Sequence, residues 1–255
     1  LAQWVNYDGH RSLFESRSPN RKGLLMWMSH SCWPSMVWQT YDYYFEPTAA
    51  YFAIKKASEP LHIQWNPATD EVEVVNYSAG THKGLTAKVQ ILNMDASVAW
   101  EKEATVDSNE DTTNKCIKLA FPANLSKVHF IKMVLTENGK VVSDNFYHRS
   151  LEENNYQDLR QLAKVALQSM TTVDKNADGT WSAVSVIENK TSTPALMIRL
   201  NVVGSKDGQQ LLPVFYSDNY FSLLPGEKKE VRMSWKDEDT RGNEGKVLIT
   251  GYNVE

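Results

Sequence analysis

The stretch "LHIQWNPATDEVEVVNY", residues 61–77, marks a change from helical to β patterning along the chain. Apolar and polar side chains alternate on both sides of a turn cluster, as expected of two paired strands. Similar segments continue to residue 148, and Asn138-Gly139 is a two-residue hairpin signal. Seven strand candidates in about ninety residues predict an immunoglobulin-like β-sandwich over residues 60–152. The candidates are "LHIQWN", "EVEVVNY", "LTAKVQILNM", "VAWEKEATV", "CIKLAF", "VHFIKMVL" and "KVVSDNFYH".

A second β region follows a polar linker, residues 150–162, in which we expect at most one turn of helix. In "KKEVRMSWK", Val231, Met233 and Trp235 alternate with polar residues, which places three large apolar groups on one buried face. The segment "LPGE" is typical of a turn. We therefore predict a second sandwich over residues 153–255. Its strand candidates are "AKVALQSMTTV", "WSAVSVIEN", "ALMIRLNVV", "QLLPVFY", "NYFSLL", "EVRMSW" and "KVLITGYN".

Residues 1–59 have a different pattern from the rest of the chain. The opening "LAQWVNYDGHRSLFES" has apolar residues three and four apart, which predicts a helix. The run "GLLMWM", residues 23–28, is apolar without alternation, and this is typical of a parallel strand covered on both faces. A second helix begins near Ala49 and is ended by Pro60. Helix, strand and helix in this order predict an α/β unit.

Composition excludes several classes of protein. The 255 residues carry a net charge of -4, are 42% hydrophobic and 23% charged, and contain no basic stripe. We therefore expect no nucleic-acid partner, and no apolar run is long enough for a membrane helix. Cys32 and Cys116 lack the spacing of a zinc site or disulfide framework. The chain opens without methionine and is interpreted as the middle of a longer protein.

Candidate sites for metals or catalysis are weak. The segment "DKNADG", which begins at Asp174, matches half of a calcium loop, but Ser185 stands where the loop requires glutamate. We interpret it as a hairpin turn. His30 and Cys32 are two ligands at most, so no metal is predicted. The sequence shows neither a carboxylate pair for glycoside chemistry nor a G-x-S-x-G nucleophile motif.

The segment from residue 27 to residue 66 resembles one family closely. A W-x-x-x-x-x-W-P-x-x-x-W pattern is followed by D-Y-Y and by a helix ending in K-K-A, and the later "SDNYFSLLPGEKKEV" is similar to the last sandwich of the same family. The family is glycoside hydrolase family 2, in its β-mannosidase and exo-β-D-glucosaminidase subgroup. The matching positions are Trp27, Trp33-Pro34, Trp38, Asp42-Tyr43-Tyr44 and Lys55-Lys56-Ala57.

The resemblance implies that residues 1–59 are the C-terminal end of a (β/α)8-barrel catalytic domain, followed by sandwiches at 60–152 and 153–255. Trp33 would then lie against the sugar, with His30 and Ser31 beside it, where many members have Asn-Asp or Asn-Asn. We expect Trp27, Trp38 and the Tyr43-Tyr44 pair to be packing residues. The family's two catalytic glutamates precede this segment, and Glu15 lies on the predicted helix, so no catalytic residue is assigned.

The same resemblance implies the function and partners of a longer parent protein. That parent would remove β-linked mannose or glucosamine with retention, need no cofactor and be periplasmic or secreted. The present chain would be inactive alone, pair with the rest of the barrel, or self-associate through its barrel remnant. Two alternatives remain: a carbohydrate-binding module displaying Trp65, Trp100 or Trp181, and a structural or adhesive protein of tandem immunoglobulin-like domains.

Overall fold

The computed structural model describes residues 1–16, 23–35 and 38–255. The described chain is mainly β, as predicted, with two α-helices, α1 (Ala2–Glu15) and α2 (Ala49–Ala57), and two short 3-10 helices, Gln157–Gln161 and Asp237–Thr240. It divides into two compact units. The first-sandwich unit contains residues 11–16 and 54–162, and the second-sandwich unit contains residues 1–10, 23–53 and 163–255. The domain boundaries after residues 59 and 152 stay predictions.

The first-sandwich unit contains all seven predicted strands. They form two antiparallel sheets, in the orders β1-β2-β5 and β4-β3-β6-β7. Side chains from both sheets share one apolar core, which includes Ile63, Val74, Val89 and Ile131. The strands are β1 (Leu61–Asn66), β2 (Glu71–Asn76), β3 (His82–Asn93), β4 (Val98–Ser108), β5 (Thr112–Lys118), β6 (Val128–Glu137) and β7 (Lys140–Ser150).

Alternation along β3 shows why this sheet has a fixed register. Leu85, Ala87, Val89 and Ile91 are fully buried, whereas the residues between them are partly or fully exposed. A shift of one residue would expose this apolar set. The turn between β6 and β7 has positive φ at Asn138-Gly139, 50° and 76°, which suits the right-handed twist of a hairpin. The hairpin prediction is confirmed.

The second-sandwich unit also has two antiparallel sheets, in the orders β12-β10-β14 and β11-β13-β9-β8. Val231, Met233 and Trp235 on β13 are 0%, 3% and 2% exposed, so their predicted burial on one face is confirmed. The strands are β8 (Gln168–Lys175), β9 (Thr180–Glu188), β10 (Ala195–Gly204), β11 (Phe215–Tyr216), β12 (Phe221–Leu223), β13 (Lys228–Lys236) and β14 (Gly245–Thr250).

Trp235 fixes the packing of this second core. Its ring is parallel to that of Trp181, with centroids 6.4 Å apart. On β14, Gly245 lies so close to the indole that a Cβ at this position would overlap the ring. The close approach, rather than an unusual backbone angle, is what requires glycine here.

Two local predictions are wrong. Residues 23–28 form no strand, and Leu25 is fully exposed, because no other strand in the described ranges pairs with them. A buried parallel strand needs hydrogen-bonding neighbours and covered faces. The segment "QLLPVFY" shortens to Phe215–Tyr216, since Pro213 has no N–H to donate to a ladder. The linker contains a single short 3-10 helix, Gln157–Gln161, which confirms the expected turn of helix.

None of the helices described is long and apolar enough to cross a membrane.

Candidate functional site

The candidate sugar loop, residues 29–35 and 38–48, contains three chain segments that lie side by side. His30 forms a bridge with Tyr41, and Tyr41 forms a second bridge with Pro47. The Tyr41 N–H donates to the Ser29 carbonyl at 3.0 Å, and the Thr48 N–H donates to the Thr40 carbonyl at 2.9 Å. Backbone pairing therefore supports the described parts of the loop even though it contains no regular strand.

A tight turn, residues 42–46, forms the end of the loop between the second and third segments. Oδ1 of Asp42 accepts the N–H groups of Tyr44 and Glu46, at 2.8 and 2.9 Å. Phe45 has a φ of 66°, a left-handed conformation that is costly for an aromatic residue. Asp42 stabilises the turn by bonding to two of its backbone amides, as aspartate commonly does in turns.

The His30 imidazole is held by this turn. Its ring stacks on the Phe45 ring, with centroids 4.2 Å apart and planes 12° apart. Nε2 of His30 lies 3.2 Å from the Tyr43 carbonyl oxygen, so this nitrogen is the donor of the pair. Both contacts fix the orientation of the segment that continues into Ser31 and Trp33.

Ser31 and Trp33 occupy opposite environments. Ser31 is buried, and its hydroxyl donates to the Gln39 side-chain oxygen at 3.1 Å. The Trp33 side chain is 67% exposed and can present an apolar ring face. Sugar binding by Trp33, His30 and Ser31 stays a prediction. The predicted packing role is wrong within the described structure for Trp27, Trp38, Tyr43 and Tyr44, which are 81%, 56%, 40% and 60% exposed.

The tryptophans proposed for a sugar-binding sandwich surface are largely covered. Trp65 is 5% exposed and packs edge-on against Tyr147 at 5.7 Å, so the prediction that it is displayed to a glycan is wrong. Trp181 is half-buried, and its N–H donates to Asp237 at 2.7 Å. Trp100 is half-buried against the first core. Burial of the ring faces removes the surface that stacking on a pyranose requires.

Sequence reasoning missed a buried polar cluster in the first-sandwich unit, formed by Glu15, Glu59, His62, Asn145 and Tyr147. His62 is fully buried between two carboxylates, with Nε2 3.1 Å from Glu15 and Nδ1 3.2 Å from Glu59. The Asn145 amide and the Tyr147 hydroxyl donate to Glu15 at 2.7 and 2.8 Å. Every carboxylate oxygen of Glu15 therefore has a partner, which is what burial of a charge requires.

Opposing influences set the protonation of this cluster. Burial is the largest influence on His62 and lowers its pKa, but hydrogen bonds and attraction from Glu15 and Glu59 outweigh it and leave that pKa raised. Burial likewise acts to raise the pKa of Glu15, yet the His62 hydrogen bond and the Arg11 charge leave that pKa lowered. The raised pKa favours the imidazolium form of His62, whose two ring nitrogens face Glu15 and Glu59.

These shifts predict how stability changes with pH. Because the His62 pKa is raised above its ordinary value of 6.5, protonated His62 stabilises the fold fully below pH 6.5. This stabilisation is lost as the pH rises through the raised pKa. Because the Glu15 pKa is lowered from its ordinary value of 4.5, ionised Glu15 stabilises the fold fully above pH 4.5. This stabilisation is lost as the pH falls through the lowered pKa. We expect unfolding free energy of the first-sandwich unit to decline on both sides of this window. Urea unfolding at a series of pH values, monitored by amide exchange in β1, would measure this decline. A His62→Gln variant with the same alkaline decline would contradict the assignment.

Ser78, His82 and Glu137 form a second arrangement that sequence patterns did not indicate. Nε2 of His82 lies 2.7 Å from the Ser78 oxygen, and Nδ1 lies 2.8 Å from Glu137. However, the Ser78 hydroxyl has a single proton, and Oδ1 of Asn76, 2.6 Å away, competes with Nε2 of His82 for it. A general base must accept that proton. The bond to Asn76 therefore opposes proton transfer from Ser78 to His82, and the contacts hold the turn that follows β2.

In the part of the chain that the structure describes, cysteines and acidic loops show no metal-binding arrangement. Cys32 is exposed and free, and burial raises the pKa of the free Cys116 thiol to about 11. In the predicted hairpin turn, Asp178 accepts from the backbone and hydroxyl of Thr180. Across the described ranges, no three histidine, cysteine, aspartate or glutamate side chains are close enough to hold an ion.

The second sandwich matches a known domain family. Residues 145–254 match the model described as the exo-β-D-glucosaminidase Ig-fold domain. Together with the mainly β fold, this match makes the chain similar to the C-terminal portion of glycoside hydrolase family 2 enzymes.

Individual relatives show the same similarity. The chain is 32% identical to an exo-β-D-glucosaminidase of Streptomyces avermitilis, over 99% of this chain and 31% of the relative. It is 24% identical to a mannosylglycoprotein endo-β-mannosidase of Lilium longiflorum, over 99% of this chain and 33% of the relative. The crystal structure of Amycolatopsis orientalis exo-chitosanase CsxA superposes with a TM-score of 0.90, at 30% identity over 99% of this chain and 33% of that one. The chain spans about a third of the length of these relatives.

Proposed function

We propose that this chain is the C-terminal accessory region of a retaining glycoside hydrolase that removes β-linked glucosamine, with β-linked mannose as the second choice. The order of preference follows the relatives, because identity reaches 32% with an exo-β-D-glucosaminidase and 24% with the endo-β-mannosidase. The observation that carries the proposal is the exposed Trp33 on a loop whose neighbouring residues are fixed. An indole presents a flat apolar face to the C–H side of a pyranose.

The chain alone is expected to lack hydrolytic activity. Retaining hydrolysis uses two carboxylates about 5–5.5 Å apart, one as nucleophile and one as acid and base. Glu15 is unsuited to either role, because it is buried and accepts from His62, Asn145 and Tyr147. In this proposal the catalytic pair lies on other strands of the parent barrel, and that barrel is the chain's partner. Without it, the exposed Leu25 and Trp27 would promote self-association.

Hydrolysis of p-nitrophenyl β-glucosaminide and β-mannoside tests this function. We expect release of nitrophenol by the gene product extended upstream of residue 1, and none by the 255-residue chain. In the extended enzyme, Trp33→Ala should raise KM about three- to tenfold through loss of ring stacking. Trp38→Ala, which removes another exposed indole from the same loop, is the matched control.

Each outcome bears on a separate part of the proposal. Turnover by the 255-residue chain would show that a catalytic pair lies within these residues. An unchanged KM for Trp33→Ala, or an equal change for Trp38→Ala, would remove Trp33 from the sugar site.

A further inference from the structure

The candidate sugar loop is held by an ion pair from the second sandwich. The Arg199 guanidinium, on β10, donates to the Glu46 carboxylate. Both side chains are largely covered, with 32% and 18% of their surfaces exposed, so the pair is screened less than an ordinary surface pair. Arg199 and Glu46 are 153 positions apart in sequence, and their pairing therefore fixes tertiary structure rather than a local turn.

Glu46 connects this ion pair to the turn that carries Phe45. Its N–H donates to Asp42 at 2.9 Å, and its carbonyl accepts the Asp42 N–H at 3.0 Å. The side chain of Glu46 is thus fixed by Arg199 while its backbone closes the turn. Because Phe45 stacks on His30, three residues before Trp33, the position of the turn is transmitted to the segment that presents the indole.

Aromatic contacts hold the chain immediately after the loop in the same unit. Phe52, on α2, lies 6.3 Å from the Tyr216 ring and 5.9 Å from the Tyr220 ring, both from the second sandwich. These three rings are buried or nearly so. The loop is therefore followed by a helix anchored to the same sandwich that supplies Arg199.

We propose that Arg199 is a positioning residue for the sugar site, and that the second sandwich is required for substrate binding rather than being a passive appendage. The inference rests on the proposed function of Trp33. Arg199 makes no contact with substrate in this proposal. It acts through Glu46, Phe45 and His30.

The first test uses amide hydrogen exchange on the 255-residue chain and needs no activity. Arg199→Met should accelerate exchange at Tyr41, Glu46 and Thr48 at least tenfold, because the turn loses its anchor. The charge-swapped pair Glu46→Arg with Arg199→Glu should restore most of the protection. Arg232→Met is the control, because Arg232 lies on the same sandwich and its side chain is 75% exposed. Protection of β9 and β13 should be unchanged in every variant, which shows that the sandwich remains folded.

The second test measures kinetics in the extended enzyme. Arg199→Met should raise KM for the glucosaminide about fivefold with kcat changed less than twofold, and the charge swap should reverse the increase. Unchanged exchange in the loop, or faster exchange with an unchanged KM, would overturn the positioning role. An extended wild-type enzyme that hydrolyses neither substrate would instead contradict the proposed function, whatever the exchange data show.

Discussion

Replacing Glu15 with glutamine is expected to lower the unfolding free energy of the first-sandwich unit by about 3–5 kcal/mol, as breaking a buried ion pair typically does. The carboxylate of Glu15 accepts from His62, Asn145 and Tyr147, and His62 is fully buried. Glutamine has nearly the same shape but leaves His62 with one carboxylate instead of two. It also offers an N–H₂ group where donors already point, so one of these groups loses its acceptor.

Chemical denaturation with amide exchange in β1 and β7 would measure this loss. Glu153→Gln is the matched control, because Glu153 is exposed in the linker and should change stability by less than about 0.5 kcal/mol. In a Glu15→Gln, His62→Gln double variant, the combined loss should be smaller than the sum of the single losses, since the two groups interact directly. Additive losses would show that Glu15 and His62 act independently.

Truncation of Trp235 to alanine is expected to destabilise the second-sandwich unit by about 3–5 kcal/mol, the range for large aromatic residues in cores. The side chain is 2% exposed and lies parallel to Trp181. Alanine would leave a cavity between β13 and β14, and the indole of Trp181 would lose its stacking partner.

Trp235→Phe separates the two causes of that loss. Phenylalanine keeps much of the packing, and it removes an indole N–H that is buried without a hydrogen-bond partner among the described residues. The loss for phenylalanine should therefore be less than half that for alanine, as measured by urea unfolding with exchange in β9 and β13. Equal losses would show that a single ring packs no better than a methyl group at this position.

The β architecture could be predicted from alternation because each strand buries one face. In "KKEVRMSWK" the apolar residues recur at every second position, and the structure buries all three on one face of β13. The hairpin at Asn138-Gly139 could also be predicted, because few residues other than glycine and asparagine adopt positive φ at low cost. Local chemistry determines both features.

Features that depend on distant partners were not predicted. In β1, His62 and Gln64 occupy the positions between apolar residues, yet both are buried, because β1 is covered on both faces. Arg11 and Glu15 lie four positions apart on α1. This spacing places both side chains on one helix face, but it does not indicate which residues they contact. The same limitation applies to Arg199, whose role follows from pairing with Glu46 and has no local signal.

The contact between Gly245 and Trp235 restricts the order in which these two positions can change during evolution. Any side chain at position 245 would overlap the indole, so a first substitution there is disfavoured while tryptophan remains at 235. A smaller residue at 235 would first open space, and a larger residue at 245 could then fill it. Relatives that lack glycine at the position equivalent to 245 should therefore also lack tryptophan at the position equivalent to 235, and the two sites should covary.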